Sequence, residues 1–588
     1  MVLSRLKTSK ETLLFIAIFL AYELYTVFAF KIQIWAVSKP FWYEHLAGLL
    51  IYLVFLTFTK SSKKAFFIYA VPVGLLRFSL CYDVITWSIL SDLNTYQGRS
   101  ELIDLLLMAF VTVFLLSWLW FSLKEIHSAR GRNTTIGILL IAALFFADTS
   151  ARKAFAKIDK FKHWDPQYIV KNYGPTISLW ERIDDAVRFR VNTPNKERVK
   201  DSLNELSKHR KQIEKNPKVE SLPDIVIINA ISLWDVWTNY PELSEKDPFD
   251  ENFRKIYRDN GSKSALARYI GGGTFEPELE ILCGMPYEWH KNFSVWPNKG
   301  SLPCLPRKLR ELGYETVAFH SNSKNFYNRS AVYRKFGFNE FYSKETMNLR
   351  DIERFNIVRD KTFYGFSGRK ISEIKEANKK PLFLYFMPTA LSYPYTLYEE
   401  IQPKLLTVNT SSDVLSDYVN LLSYSTKRLA NFIKRVKKKL PNSIIVLVGN
   451  HSPEFKGFDG FDGSGQMLNI EQMSEAHRVS FLKTPFIYQG VNVEPLDLTP
   501  LYEIPGLILN DIGHYDLAPP SVFYFRNPEP FAFGFQNYIN KEGNNFIYCK
   551  GKNAKSDFCK SRERLLNAAR ALFLDQIFGQ RYAEGLLE

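Results

Sequence analysis

Thr274 follows three glycines and opens an acidic, helix-like stretch, Gly271-Gly-Gly-Thr-Phe-Glu-Pro-Glu-Leu-Glu280. Glycines let a backbone approach a ligand closely, and the start of a helix favours a phosphate. A threonine hydroxyl there is a candidate nucleophile once something activates it. The competing expectation is that Thr274 caps the helix, with Glu276, Glu278 and Glu280 favouring its positive end. His451 closes an apolar run, Ser443-IIVLVGN-His451, where a neutral imidazole could bind a metal or could be structural. His320 to Arg329 forms a third polar cluster. Together the three clusters suggest chemistry on a phosphate ester.

Such clusters need a scaffold that brings them together. From Leu222 onward, short apolar runs alternate with amphipathic segments: Asp224-IVIINA, Glu315-TVAFHS, Pro381-LFLYFMP, Ser443-IIVLVGN and Thr484-PFIYQG. Runs apolar throughout read as strands buried on both faces, and their alternation with helices predicts a mostly parallel α/β sheet. In such sheets ligands collect at the carboxyl ends of the strands. That rule selects Asn229–Asp235, His320–Arg329, Thr389–Tyr395 and Asn450–Glu454, each directly after an apolar run.

The N-terminal part has a different character. Five apolar stretches, roughly Glu11–Phe30, Phe41–Thr59, Ala65–Leu90, Leu102–Leu123 and Thr135–Ala147, are predicted to cross a bilayer as helices. Arg5, Lys7, Lys10, Lys60, Lys63, Lys64, Lys124, Arg130 and Arg132 fall on one side and only Lys31, Lys39 and Arg99 on the other. The positive-inside rule then delivers everything after Ala147 to the exterior. The predicted organisation is a transmembrane domain over 1–149, a helical juxtamembrane connector over 150–221 with a helix around Glu197–Lys215, and an extracytoplasmic domain over 222–588.

A net charge of +15 raises the question of nucleic acid, but no arginine-rich recognition element accompanies it, so a nucleic-acid partner is not expected. Basic surface facing anionic headgroups suits a tethered domain. Of five cysteines, four lie in the predicted external part. Cys283 with Cys304 and Cys549 with Cys559 would close short loops in an oxidising compartment, the alternative being four buried thiols.

The order Pro223-DIVIIN, GGGTFEPELEILCGMP, Ala318-FHSNSKNFYNRSAVYRKFGF, VGNHS and His514-YDLAPPSVF resembles the sulfatase-fold phosphoglycerol transferases of the lipoteichoic-acid-synthase type. It is similar also to the phosphoethanolamine transferases of the same alkaline phosphatase superfamily. The resemblance implies a multi-pass protein of the bacterial inner (cytoplasmic) membrane whose C-terminal domain is periplasmic or extracellular. It implies a phospholipid donor and an envelope glycan or lipid acceptor. It implies that Thr274 becomes a phosphothreonine, that Thr274, Asn450 and His451 hold a divalent metal, zinc or manganese, and that His320, Asn322, Tyr327 and Arg329 bind the substrate.

The chain departs from that pattern. Ile231 stands where the family has an acidic ligand, Asn450 where it has aspartate, and Ser392 where it has a histidine before Pro-aromatic. Divalent-ion affinity depends on ligand charge, so these changes open a second expectation: an inactive relative that binds lipid or glycan, or regulates envelope assembly. A true sulfatase is not expected, because Thr274-Phe-Glu-Pro-Glu lacks the Cys/Ser-x-Pro-x-Arg motif.

Overall fold

The computed structural model describes residues 193–208, 215–267, 270–271, 273–285, 302–324, 326–347, 358–470, 472–518, 531–533, 538–542, 545–549, 555–577 and 579–587. The five predicted spans lie outside these residues. Among the described residues, no helix is long and apolar enough to cross a membrane.

Ten strands define the core topology: β1 (Ile225–Ala230), β2 (Ser264–Leu266), β3 (Glu315–His320), β4 (Glu340–Tyr342), β5 (Leu382–Met387), β6 (Ile444–Gly449), β7 (Gly460–Phe461), β8 (Met467–Leu468), β9 (Lys483–Gln489) and β10 (Thr499–Pro500). Eight of them form one sheet in the order β10-β2-β9-β6-β1-β5-β3-β4. β9 alone runs against the others, pairing antiparallel with β6 and with β2. β7 and β8 form a separate ribbon. Every residue of β1, β5 and β6 is buried, as expected of apolar runs covered on both faces. The register Ile227↔Tyr385 and Ala318↔Tyr385 places the ends of β1, β3 and β5 at one edge of the sheet.

The helices that matter here are α1 (Lys196–Ser207), α2 (Phe275–Cys283), α3 (Arg329–Phe336), α4 (Asp360–Ala377), α5 (Asp413–Lys439) and α6 (Asp557–Ile577). α5 starts where Ser412 accepts from the Leu415 amide, and ends with Lys437, Lys438 and Lys439 against its negative pole. It packs on α4 through Tyr364 and Phe432, whose rings stack at 4.5 Å. α1 stops at Ser207, short of the expected Lys215, and buries Val199, Leu203 and Leu206 with Leu565, Leu566 and Leu572 of α6. The expected connector helix thus shares a core with α6, a partnership between distant segments that no local pattern announces.

Both cysteine pairs are disulfides, Cys283–Cys304 and Cys549–Cys559. The first joins the end of α2 to a residue 21 positions on and the second spans 10. Restricting the unfolded chain over loops of this length contributes about 3 kcal/mol each. Replacing Cys283 and Cys304 together by serine is therefore expected to lower the unfolding free energy by that order, read by urea titration without reductant.

Below the end of β1 lies a cavity of about 10 Å³ lined in part by Ile231, Asp360, Ser425 and Thr426. Ser425 donates to Asp360 Oδ2, and Oδ1 has no partner. Burial pushes the Asp360 carboxyl up to about 6, against the pull of Ser425 and Arg428. A carboxyl raised in the fold stabilises it fully below the unfolded value of 3.8 and loses that contribution as pH rises through about 6. Asp360→Asn is expected to gain about 3 kcal/mol at pH 7, at ~1.4 kcal/mol per pH unit, and almost nothing at pH 4. Thermal unfolding of both proteins across that range checks it.

Candidate active site

The turn before α2 is built for close approach. Gly271 has φ +68° and a Cβ there would sit 3.2 Å from the Pro453 carbonyl oxygen, while its amide donates to Ser452 Oγ at 3.0 Å. Gly273 has φ +73°. This backbone ties the Thr274 turn to the loop after β6, so two segments about 180 residues apart meet.

Thr274 immediately precedes α2, at the capping position, but its side chain does not cap the helix. Its φ of −69° and ψ of −29° are helical, and its side chain makes no cap bond. Capping needs an extended backbone that swings the hydroxyl over the first amides, so the capping expectation is corrected. The hydroxyl instead lies 3.3 Å from His451 Nε2.

His451 is buried, with Nδ1 2.6 Å from the carbonyl oxygen of Ser452. A carbonyl only accepts, so Nδ1 carries the proton and Nε2 presents a lone pair to Thr274. Burial drives the imidazole down to about 4, against the Ser452 carbonyl, so the ring is neutral at pH 7.

His320, Tyr327 and Arg329 come together in a buried network next to α2. Arg329 Nε donates to Glu278 Oε2 at 3.1 Å, with both side chains fully buried. Nη1 reaches His320 Nε2 at 3.2 Å and the Phe326 carbonyl oxygen at 3.3 Å. These bonds commit Nε and Nη1 to the protein's own groups, leaving Nη2 without a partner. The guanidinium is turned inward because Glu278, one turn after Thr274, is itself buried and needs a counter-charge. Tyr333 also donates to Glu278, and Asn229 Nδ2 donates to the Tyr385 hydroxyl at 2.7 Å.

Electrostatics follow from that burial. Desolvation opposes the Arg329 charge, but Glu278 holds its guanidinium above the usual value. Desolvation and then Arg329 push His320 well below its usual value, so it stays neutral with Nδ1 donating to the Met387 carbonyl oxygen at 3.2 Å. Tyr327 takes a left-handed backbone, φ +57°, stacks on Phe275 at 5.6 Å and carries Arg329 over its ring at 5.1 Å. Asn322 is spent locally: its Oδ1 accepts from the Ser323 amide at 2.7 Å.

The expected metal ligands do not make a set. Ile231 is buried and has no donor atom. Asn450 Oδ1 accepts from the Ser232 amide at 3.3 Å, and Nδ2 has no partner. Ser232 holds that amide in place with a left-handed φ of +52°. Asp235 is turned away in a double ion pair with Arg254, so it does not substitute for Ile231. Among the described residues, no group of three or more His, Cys, Asp or Glu could hold a metal ion. One imidazole, one hydroxyl and a committed amide do not fit a divalent cation, whose affinity rests on anionic ligands.

Glu278, which the sequence offers only as a carboxylate favouring the positive end of a helix, is the buried counter-ion of Arg329. Its signal was present, a carboxylate one turn into a largely apolar helix, but its partner lies 51 residues away.

The chain is 23% identical to the lipoteichoic acid synthase of Staphylococcus aureus over 564 residues, covering 86% of this chain and 81% of that protein. Among solved structures, the lipoteichoic acid synthase LtaP of Listeria monocytogenes aligns with 14% identity, a TM-score of 0.47, and coverage of 66% of this chain and 98% of that one. The Streptococcus pyogenes phosphoglycerol transferase GacH, in complex with sn-glycerol-1-phosphate, aligns with 17% identity, a TM-score of 0.43, and coverage of 68% and 97%. Residues 262–485, which include Thr274, His320, Arg329 and His451, match the family described as Sulfatase. The chain is therefore similar over residues 262–485 to the Sulfatase family and over most of its length to lipoteichoic acid synthase.

Proposed function

We propose that this protein is a membrane-anchored transferase that moves phosphoglycerol or phosphoethanolamine from a phospholipid to an envelope glycan or lipid through a phosphothreonine at Thr274. The observation that carries this reading is the Thr274 hydroxyl held 3.3 Å from the unprotonated Nε2 of His451. The homology to lipoteichoic acid synthase supports the substrate class.

In the first step Thr274 Oγ1 attacks the phosphorus of the lipid phosphodiester, and the bond from phosphorus to the diacylglycerol oxygen breaks. The hydroxyl proton passes to His451 Nε2 and then to the departing alkoxide, giving diacylglycerol. An imidazole with a value of about 4 is a weak base, but a phosphodiester anion beside it favours the imidazolium and raises it toward its task. In the second step an acceptor hydroxyl attacks the phosphothreonine, and the same ring takes its proton and returns one to Thr274. Arg329 and Glu278 fix the network at the ends of β3 and β5 beside α2. The five apolar N-terminal stretches would keep this chemistry next to its lipid at the outer face of the bacterial cytoplasmic membrane.

A second reading, binding of the phosphorylated headgroup without turnover, is favoured by the incomplete ligand set at Ile231 and Asn450. Incubating the purified protein with lipids bearing labelled headgroups separates the two. Transfer expects release of diacylglycerol in step with label on the protein. Saturable binding with no diacylglycerol formed supports the second reading.

A further inference from the structure

Metal sites need lone pairs and negative charge, whereas phosphate sites need N–H and O–H donors. Next to His451 the chain offers the second kind at one atom, the unpartnered Asn450 Nδ2. Where the resembled family has an acidic ligand at position 231, this chain has the buried, donorless Ile231. Where it has aspartate at position 450, the fully buried Asn450 anchors Oδ1 on the Ser232 amide. That bond fixes which end of the amide is which: an acceptor must face an N–H, so the NH₂ group is the end left over. It has no partner, although a buried unpaired donor costs about 1–3 kcal/mol. The next residue is His451, whose Nε2 meets the Thr274 hydroxyl directly.

We infer that this site takes the phosphate group of its substrate without a divalent cation, with the Asn450 amide donating to a phosphate oxygen beside the Thr274–His451 pair. This inference rests on the reading of Thr274 as the phosphate-accepting position. Asparagine at 450 is then a change of role: the same position that would bind a cation with a carboxylate binds an anion with an amide. Ile231 fits the same logic, since a carboxylate there with no cation would repel the phosphate.

The test uses the full chain in detergent and reads binding, with glycerol phosphate as the probe because it cannot donate its headgroup from a lipid. Elemental analysis is expected to find zinc and manganese well below one per chain. Calorimetric affinity for glycerol phosphate is expected to stay the same with EDTA and with added zinc or manganese. Asn450→Asp, which keeps an acceptor for the Ser232 amide, is expected to weaken binding in EDTA by roughly tenfold or more, the worth of one bond to a charged group. If that variant fails to fold, Asn450→Ala carries the test, with a loss of roughly tenfold from the missing donor. Stoichiometric metal whose removal abolishes binding, unchanged affinity in the folded variant, or no binding under any of these conditions overturns the inference. Because the probe reads binding alone, a failure of headgroup transfer to Thr274 leaves this result interpretable by itself.

Discussion

Thr274→Ala is expected to reduce headgroup transfer on the order of 10⁴-fold or more, because removing a nucleophile leaves only binding and electrostatics to act. Thr274→Ser keeps a hydroxyl facing His451 Nε2 and is expected to retain most of the activity. The contrast isolates the hydroxyl from the fold: Thr274 makes no cap bond, so neither change removes a hydrogen bond that α2 depends on. Unfolding curves of the two variants should therefore stay close to that of the parent, while release of labelled headgroup from lipid separates them. Equal activity in Thr274→Ala and the parent would remove the nucleophile from consideration.

Glu278→Ala is expected to cost the fold about 3–5 kcal/mol, because it leaves the guanidinium of Arg329 buried without its counter-ion. The cost comes less from the lost bond than from the stranded charge. Glu278→Ala combined with Arg329→Met should accordingly recover much of the loss, a coupling that a double-mutant cycle in urea measures directly. Losses that simply add would show that the two side chains do not share one energetic unit. Activity in the double variant should remain low even if stability returns, since His320 loses the donor at its Nε2.

The central strands were legible because they are buried on both faces. The sequences of β1, β3, β5 and β6 are nearly unbroken apolar runs that end in polar clusters, and each cluster marks a carboxyl end. The direction of β9 was not legible, since Thr484-PFIYQG would look the same parallel or antiparallel. β2, β4 and β10 hold two or three residues apiece, too few for any periodicity, and exist through pairing alone. At the site, residue types announced Thr274, His320, Arg329 and His451, and the losses at Ile231 and Asn450 were visible as letters. What the letters did not carry was orientation. The same Gly-Gly-Thr-Phe-Glu stretch serves a capping threonine or a free one, and a backbone difference at Thr274 decides between them. Arg329 read as a phosphate ligand because a sequence does not show that Glu278 is buried beside it.

Covalent capture of the headgroup at one residue is the central claim, and peptide mass spectrometry tests it most directly. The full chain is incubated with lipids carrying phosphoglycerol or phosphoethanolamine in the absence of an acceptor, quenched in acid and digested. The expected result is one headgroup phosphate added to the peptide containing Thr274, absent from Thr274→Ala and diminished in His451→Ala. Diacylglycerol released without any added mass, or mass found on a different residue, would contradict it.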